Sequence, residues 1–263
     1  MAPSTRLPAA FFAHGSPMLA VEEDDVTSML RRWGRSVRPR AIAVVSAHWE
    51  APGPVRVTGA EQPSLIYDFS GFPPELYDIR YPSPGHPALG AEIVRRLEAA
   101  GVKSALDPRR GLDHGAWVPI RHAFPAADVP MLEISLPVPR TRELLAQAGR
   151  ALAPLRGEGV LLIGSGGLVH NLRRVHFEDK AAPVDPWAGD YDRWVGDRLP
   201  SLDPAALAEY RQAPHAAEAV PTTEHFDPVF FVLGAALPGD RLSGLYEGFH
   251  YGNLSMRSFE VKA

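Results

Sequence analysis

The sequence contains ten histidines and no cysteine among its 263 residues. Histidine is the commonest metal ligand in proteins, and its side chain exchanges protons readily near neutral pH. The lack of cysteine excludes disulfide scaffolds, thiolate zinc sites, iron–sulfur clusters and cysteine nucleophiles. Any transition-metal site in this chain therefore depends on histidine and carboxylate ligands.

Five of the histidines occupy positions typical of a ligand-binding edge. His14 directly follows the apolar run Ala9–Ala13. His48 follows a second such run, and in open α/β sheets ligands bind beyond the carboxyl ends of the strands. The other three, in turns or before a helical pattern, are His114, His170 and His225. One such histidine alone is more often a hydrogen-bonded structural residue, but the joint pattern indicates one shared metal site.

Short apolar runs alternate with helical patterns along the chain. The apolar runs predict buried strands at Ala9–Ala13, Ala41–Ala47, Met131–Leu136, Val160–Ile163 and Ser255–Val261. The helical patterns predict helices at Asp25–Trp33, Pro87–Ala100, Thr141–Leu152, Pro186–Leu199, Asp203–Gln212 and Phe226–Ala236. This alternation predicts an α/β fold, a single domain over residues 1–263 with a central, mostly parallel or mixed sheet flanked by helices.

The segment Ile66–Pro84 departs from this alternation, because it is rich in aromatic residues, Gly and Pro and has no helical pattern. Loops of this length in a compact domain are usually functional or disordered, and the aromatic content favours an ordered loop. Phe69, Phe72 and Tyr77 can pack on a planar ligand ring or, equally, cap the core.

Two other motifs carry less weight. The turn that begins at Gly164 lacks the Lys-Ser/Thr of a phosphate-binding loop and the full dinucleotide fingerprint. Ser165 lacks the surroundings of a nucleophile elbow, so we interpret it as a turn residue.

Charge and hydropathy exclude several classes of partner. The net charge is −4, and the basic residues occur only in short pairs, so no nucleic-acid partner is expected. The longest apolar stretch, Val229–Leu237, is much shorter than the ~20 residues of a membrane-spanning helix. Residues Met1–Pro8 lack the apolar segment of a signal peptide. We expect a soluble, cytoplasmic protein without a membrane partner, either a monomer or a homodimer.

A series of short motifs makes the chain recognisable. They are His14-Gly-Ser-Pro-Met, Ser46-Ala-His-Trp, Tyr67-Asp-Phe-Ser-Gly-Phe-Pro, Tyr81-Pro-Ser-Pro-Gly, Asp113-His-Gly-Ala-Trp, Gly164-Ser-Gly-Gly-Leu-Val-His-Asn, Glu224-His-Phe-Asp-Pro and Tyr251-Gly-Asn-Leu-Ser-Met-Arg-Ser-Phe. In this order and spacing they resemble the class III (LigB-type) extradiol aromatic ring-opening dioxygenases, in the DODA-type branch of the 4,5-DOPA dioxygenases. The resemblance extends over nearly the whole chain.

The resemblance implies one divalent metal held by His14, His48 and His225. His170 would lie near the metal, as a further ligand or as an acid or base, and His114 would line the substrate side. Members of the family cleave a catechol ring beside its two hydroxyls and insert both atoms of O2. The chemistry expects Fe(II), although some members hold Zn(II), so the metal is Fe(II) for dioxygenase activity or Zn(II) as bound.

The residue types fit this chemistry. A catechol must lose protons to chelate a metal, and a neutral histidine near the metal can accept one. His170 and His114 are therefore the candidate catalytic residues, with His170 the stronger candidate base. Three ligands on one face of an octahedron leave three positions for a bidentate catechol and O2. Glu224 is an alternative third ligand to His225.

Aromatic side chains are the candidates for binding a small, DOPA-like catechol. The candidate substrate-binding residues are Tyr67, Phe69, Phe72 and Tyr251. The segment Tyr251–Arg257 can supply a hydroxyl or a guanidinium to a substrate carboxylate, or form a structural ion pair.

Two other functions fit the same histidines. A zinc hydrolase would use a three-histidine zinc with an open water position. A non-catalytic metal-binding protein of the same fold, as in Memo-type relatives, would need no acid–base residues, so the presence of both His114 and His170 favours an enzyme. The remaining histidines are interpreted as surface or core residues: His86, His122, His176, His215 and His250.

Overall fold

The strands of the protein form one large mixed sheet and one short hairpin. The computed structural model describes residues 6–263. The strands are β1 (Ala9–Ala13), β2 (Ala41–Pro52), β3 (Val55–Thr58), β4 (Ser104–Asp107), β5 (Met131–Val138), β6 (Val160–Gly166), β7 (Arg241–Tyr246), β8 (Phe249–His250), β9 (Leu254–Ser255) and β10 (Ser258–Lys262). Eight of them form a sheet in the order β4-β3-β5-β2-β6-β1-β10-β7, and β8 pairs with β9. The four central strands β5, β2, β6 and β1 run parallel. Strand β10 pairs antiparallel with β1, and β7 pairs antiparallel with β10 at the edge of the sheet.

Helices cover both faces of this sheet. They are α1 (Asp25–Ser36), α2 (Pro87–Ala99), α3 (His114–Ala123), α4 (Arg142–Leu152), α5 (Pro186–Gly196), α6 (Ala216–Ala219) and α7 (Pro228–Gly234). Short 3-10 turns lie at Pro17–Ala20, Pro74–Leu76, Ala153–Glu158, Leu199–Ser201, Pro204–Leu207 and Tyr210–Gln212. Alternate residues of the central strands enter two hydrophobic cores, one with α1 and α3 and the other with α2, α4, α5 and α7. The predicted α/β fold is confirmed.

None of the helices within residues 6–263 is both long and apolar enough to cross a membrane.

The predicted elements are present with two exceptions. The predicted helix Asp203–Gln212 is wrong: the chain forms two separate 3-10 turns there, because Leu207 and Tyr210 turn inward and Tyr210 stacks on Phe226 with ring centroids 4.5 Å apart. The predicted strand Ser255–Val261 is divided between β9 and β10.

Several elements were not predicted. The short strands β3, β4, β7 and β8 lack a clear apolar run, and α6 is a single turn. Helix α3 was missed because Pro119 lies inside it, and proline normally interrupts a helical pattern. This omission matters for the site, since α3 begins at His114.

A bulge in β2 brings His48 to the carboxyl edge of the sheet. Along the pairing of β2 with β5, β2 advances from Val45 to Glu50 while β5 advances only from Ile134 to Leu136. The extra residues of β2 are forced out of the ladder, and bulges of this kind redirect side chains beside functional sites.

Glycines in β6 allow α7 and the segment before it to approach the sheet closely. A Cβ at Gly166 would lie 2.1 Å from the carbonyl oxygen of His225, and one at Gly164 would lie 2.6 Å from that of Pro228. Only glycine permits this backbone contact. The position of His225 therefore depends on a missing side chain in β6.

We expect Gly166→Ala to displace the backbone at His225. Overpacking of this kind costs about 1–3 kcal/mol of stability, and the displaced imidazole should weaken Zn(II) binding by about tenfold or more. Urea unfolding and Zn(II) competition titration measure the two effects. Gly244→Ala in β7 is the matched control, because a Cβ there meets nothing within 4 Å. If both variants had the same stability and the same Zn(II) affinity, this explanation of the position of His225 would be wrong.

Candidate metal centre

The fold brings the five predicted histidines together at one edge of the sheet. His14 directly follows β1, His48 lies in the bulge of β2, and His170 follows the turn after β6. His114 is the first residue of α3, and His225 precedes α7. All except His14 line one cavity of about 510 Å³. His14 is buried beneath it, with 1% of its surface exposed.

Three imidazoles point the same nitrogen at a common point. The Nε2 atoms of His14 and His48 are 3.0 Å apart, and those of His48 and His225 are 3.2 Å apart. Two nitrogens bonded to one ion at about 2.1 Å and at a right angle lie about 3.0 Å apart. These separations therefore suit three ligands of a single divalent metal.

Hydrogen bonding at His14 fixes which nitrogen carries the proton. The hydroxyl of Ser165 donates to the carbonyl oxygen of Gly115 at 2.5 Å, so its only hydrogen is used. The Nδ1 atom of His14, 2.9 Å from the same hydroxyl, must then be the donor. Nε2 of His14 consequently carries a lone pair. Ser165, predicted as a turn residue, thus orients a candidate ligand.

Carboxylates fix the other two imidazoles in the same way. Nδ1 of His225 lies 3.1 Å from Oε1 of Glu224, and Nδ1 of His48 lies 3.3 Å from Oδ2 of Asp68. A carboxylate only accepts, so the proton belongs on each Nδ1. Metal-ligating histidines are usually oriented by such a bond from the other ring nitrogen.

The convergence of these lone pairs fits a metal ion. Nitrogen lone pairs about 3 Å apart repel one another unless a cation lies between them. The nitrogens of His14, His48 and His114 lie within 4.8 Å of one another, and so do the ligand atoms of a second group, the nitrogens of His170 and His225 and a carboxylate oxygen of Glu224. Glu224 itself does not line the cavity, and its Oε1 also accepts a hydrogen bond from Thr222. Its geometry is that of a residue orienting His225.

His170 and His114 lie against the three convergent imidazoles. The ring of His170 stacks on that of His225 at 3.5 Å with an interplanar angle of 8°. Burial, and next the positive charge of a protonated His48, lower the pKa of His170 from 6.5 to about 4, so it is neutral at pH 7. Nδ1 of His114 donates to Oδ1 of Asp68 at 2.9 Å, which leaves a lone pair on its Nε2.

Asp68 is a site residue that the sequence pattern did not reveal. One of its oxygens accepts from the Nδ1 and the backbone N–H of His114, and the other faces His48. Although burial raises the pKa of Asp68, the contacts with His114 and His48 outweigh it and lower the pKa to about 2. The carboxylate therefore stays charged and positions both imidazoles. Its place in the motif Tyr67-Asp-Phe was the only signal in the sequence.

A buried polar network holds the two backbone segments that carry His48 and His114. Asp113 caps α3, accepts from Ser46 Oγ at 2.6 Å and pairs with Arg110 at 2.9 Å. Glu133 accepts from the backbone N–H of Asp113 at 2.9 Å. Burial, and then the neighbouring charge of Asp113, raise the pKa of Glu133. This network ties β5 and α3 to the bulge of β2.

The candidate substrate-binding residues divide into two pairs. Phe69 and Phe72 line the cavity, and Phe69 meets the ring of His114 edge-on at 5.6 Å. Tyr67 lies outside the lining and donates its hydroxyl to the carbonyl oxygen of Ile79 at 2.6 Å. Tyr251 also lies outside the lining and is largely buried.

Arg257 forms the structural ion pair rather than a ligand contact. Its guanidinium bonds Asp192 at 2.7 Å and Glu247 at 2.7 Å. A substrate carboxylate in the cavity would have to displace these partners.

The other histidines lie away from the cavity lining. His86 caps α2 by accepting from the backbone N–H of Leu89. His122 lies 2.7 Å from the carbonyl oxygen of Leu19. Each of the remaining three faces a carboxylate: His176, His215 and His250.

Burial of the histidines makes the stability of the metal-free protein depend on pH. Burial, and next the charge of His114, lower the pKa of His48 to about 4, and burial also lowers the pKa of His14, His170 and His225. Between pH 6.5 and 4 the unfolded chain binds protons that the folded chain does not. The free energy of unfolding should therefore fall with falling pH by up to about 1.4 kcal/mol per pH unit for each such imidazole.

Urea unfolding of the metal-free protein at pH 7, 6 and 5 measures this slope. His48→Gln should reduce the slope, whereas His176→Gln, whose side chain is 50% exposed, should not. A stability that is constant from pH 7 to 5 would contradict the burial of neutral imidazoles.

Known proteins are similar to this chain in sequence and in fold. The family model of the catalytic LigB subunit of aromatic ring-opening dioxygenase matches residues 8–254. A 4,5-DOPA dioxygenase extradiol of Escherichia coli (strain K12) is 39% identical over 263 residues, which cover 98% of this chain and 96% of the relative. One of Portulaca grandiflora is 38% identical and covers 95% of this chain and 94% of the relative.

A solved structure has the same architecture. The crystal structure of an uncharacterized protein from Escherichia coli K12 matches with a TM-score of 0.82 and 35% sequence identity, over 97% of this chain and 99% of that chain. The family match and the relatives extend over most of the chain, including the segments that carry all five clustered histidines. The chain therefore belongs to the LigB family of aromatic ring-opening dioxygenases, and it is an extradiol dioxygenase.

Proposed function

We propose that the protein is an Fe(II)-dependent dioxygenase that opens the ring of a small catechol and inserts both atoms of O2. The observation that carries the proposal is the convergence of the Nε2 lone pairs of His14, His48 and His225 beside two further imidazoles. The names of the relatives, which contain DOPA, support a catechol as the ring that reacts.

The three convergent imidazoles would hold the metal from one side. An Fe(II) ion held by these residues would supply the redox chemistry between an anionic catechol and O2. Three neutral ligands leave the full charge of the ion to attract an anionic catechol. Ser165, Asp68 and Glu224 keep each imidazole in the tautomer that offers Nε2.

His170 and His114 would move the protons. Burial keeps His170 neutral, so its ring has a nitrogen lone pair that can accept a proton as a catechol hydroxyl ionises. His114 has a free lone pair on Nε2, because its Nδ1 donates to Asp68. Once protonated, either imidazole can return the proton to the opened product.

Phe69 and Phe72 would form a wall beside the catechol ring. Their own rings lie 5.5 Å apart at 84°, so they present an apolar wall to the cavity that also holds His114 and His170. Such a wall packs on a planar ring and keeps water from it.

A zinc hydrolase is the second candidate, because three neutral imidazoles also suit tetrahedral Zn(II) with a bound water. A dioxygenase and a hydrolase would use the same cavity but form different products. The identity of the bound metal distinguishes the two functions.

Anaerobic reconstitution with Fe(II), followed by a panel of catechols and O2, tests the proposal. We expect oxygen uptake in step with catechol loss and a yellow ring-opened product, and no oxygen uptake after reconstitution with Zn(II) alone. Failure to turn over any catechol, together with tight Zn(II) binding and hydrolysis of esters or amides, would establish the rival function.

Single substitutions separate the ligands from the acid–base residues. His14→Ala, His48→Ala and His225→Ala should each abolish Fe(II) binding, measured by metal analysis after dialysis. His170→Ala and His114→Ala should retain the metal but lower turnover by about 10²–10⁴-fold. His176→Ala, outside the cavity, is the control. Loss of the metal from His170→Ala would instead identify His170 as a ligand.

A further inference from the structure

Arg140 lies outside the metal cavity but is bonded to two segments that carry candidate ligands. It belongs to the connection between β5 and α4, and its side chain is only 10% exposed. It does not line the cavity that holds the histidines. Any effect of Arg140 on the metal site must therefore pass through the segments that its guanidinium holds.

One of these segments is the turn 223–227, which has His225 at its centre. The backbone N–H of Asp227 donates to the carbonyl oxygen of Thr223 at 2.9 Å, and the Thr223 hydroxyl donates to Oδ2 of Asp227 at 2.9 Å. Arg140 donates from Nε to Oδ2 of Asp227 at 2.6 Å and from Nη2 to Oγ1 of Thr223 at 3.3 Å. The guanidinium thus holds both ends of the turn that presents His225.

The other segment is strand β2, which carries His48. Nη1 of Arg140 donates to Oε1 of Glu50 at 2.7 Å. Glu50 lies two residues after His48, where β2 pairs with β5 again beyond the bulge. Because the Nε2 atoms of His48 and His225 are 3.2 Å apart, Arg140 connects two backbone segments whose imidazoles must converge.

The turn also depends on the charge of Arg140. Asp227 is 5% exposed, and within residues 6–263 the ion pair with Arg140 is the only one that it forms. Removing one partner of a buried ion pair leaves an uncompensated charge, which is strongly unfavourable. Without the guanidinium, the turn would have to rearrange to bring Asp227 to water, and His225 would move with it.

We propose that Arg140 is a positioning residue that fixes the separation of His48 and His225, and thereby sets the affinity and the geometry of the metal site. Three different nitrogens of one planar guanidinium serve three side chains, and a lysine ammonium cannot reproduce that fork. The inference rests on the proposed function in one respect, because it takes His48 and His225 as metal ligands.

Zn(II) competition titration of two variants tests the proposal. Arg140→Gln should weaken Zn(II) binding by about 10–100-fold, as expected when a group that orients metal ligands is lost. Arg140→Lys should still weaken it by about tenfold, because the ammonium can pair with Asp227 but cannot also hold Glu50 and Thr223. Wild-type Zn(II) affinity in Arg140→Lys would overturn the proposal, and this variant decides the matter if Arg140→Gln does not fold.

Urea unfolding of the metal-free proteins separates positioning from a general structural role. Arg140→Lys retains a cation beside Asp227, so its unfolding midpoint should stay near that of the wild type while its Zn(II) affinity falls. If stability and affinity fall together in this variant, Arg140 supports the fold as a whole and the proposal is wrong.

The absorption spectrum of bound Co(II) reports the ligand geometry itself, because it depends on how the ligands surround the metal. At saturating Co(II), the visible bands of Arg140→Lys should be shifted from those of the wild type. Unchanged bands would show that the imidazoles keep their arrangement without the guanidinium, and would contradict the proposal.

Arg257→Gln is the matched control. The Arg257 side chain is 15% exposed and, like that of Arg140, it pairs with one buried aspartate and one exposed glutamate, Asp192 and Glu247. Those partners lie outside the lining of the metal cavity. This variant should lose stability but keep its Zn(II) affinity and its Co(II) bands. An equal loss of Zn(II) affinity in Arg257→Gln and Arg140→Gln would contradict a specific role of Arg140.

His225→Ala distinguishes a failure of this inference from a failure of the proposed metal site. If His225→Ala loses Zn(II) binding while both Arg140 variants keep it, only the role of Arg140 is wrong. If His225→Ala binds Zn(II) as tightly as the wild type, the proposed ligand set is wrong, and the role of Arg140 falls with it.

Discussion

The site depends on hydrogen bonds that hold the proton of each convergent imidazole on Nδ1. Ser165 and Glu224 accept such bonds from His14 and His225, and a carboxylate oxygen of Asp68 faces Nδ1 of His48 at 3.3 Å. The Nε2 lone pairs then meet at separations of 3.0 and 3.2 Å, which are repulsive without a cation and favourable around one. The same imidazoles are buried, and burial is the main cause of their lowered pKa values and hence of the instability expected of the metal-free protein in acid.

Two local features of the sheet allow the three imidazoles to converge. The bulge in β2 moves His48 out of the ladder, and the glycines of β6 let the backbone at His225 approach the strand. The same geometry places His170 and His114 beside the convergent imidazoles but leaves them free to exchange protons. In the proposed function, metal binding and proton transfer are thereby divided among different residues of one cavity.

Much of the fold and part of the site could be predicted from the sequence. The central strands are continuous apolar runs, so their ends, and with them His14 and His48, were identifiable. The edge strands carry no such pattern, and Pro119 concealed the helix that begins at His114. Asp68 contacts His48 and His114, which are distant from it in sequence, so no local pattern could reveal its position in the site.

The position of the bound metal shows whether His14, His48 and His225 are its ligands. Crystals of the Fe(II)-loaded protein, grown without oxygen, can be measured at the iron absorption edge, where the anomalous signal locates the ion. We expect one peak within bonding distance, about 2.1 Å, of Nε2 of His14, His48 and His225. A peak bound instead by His170 and Glu224, or by an Nδ1 atom, would contradict it.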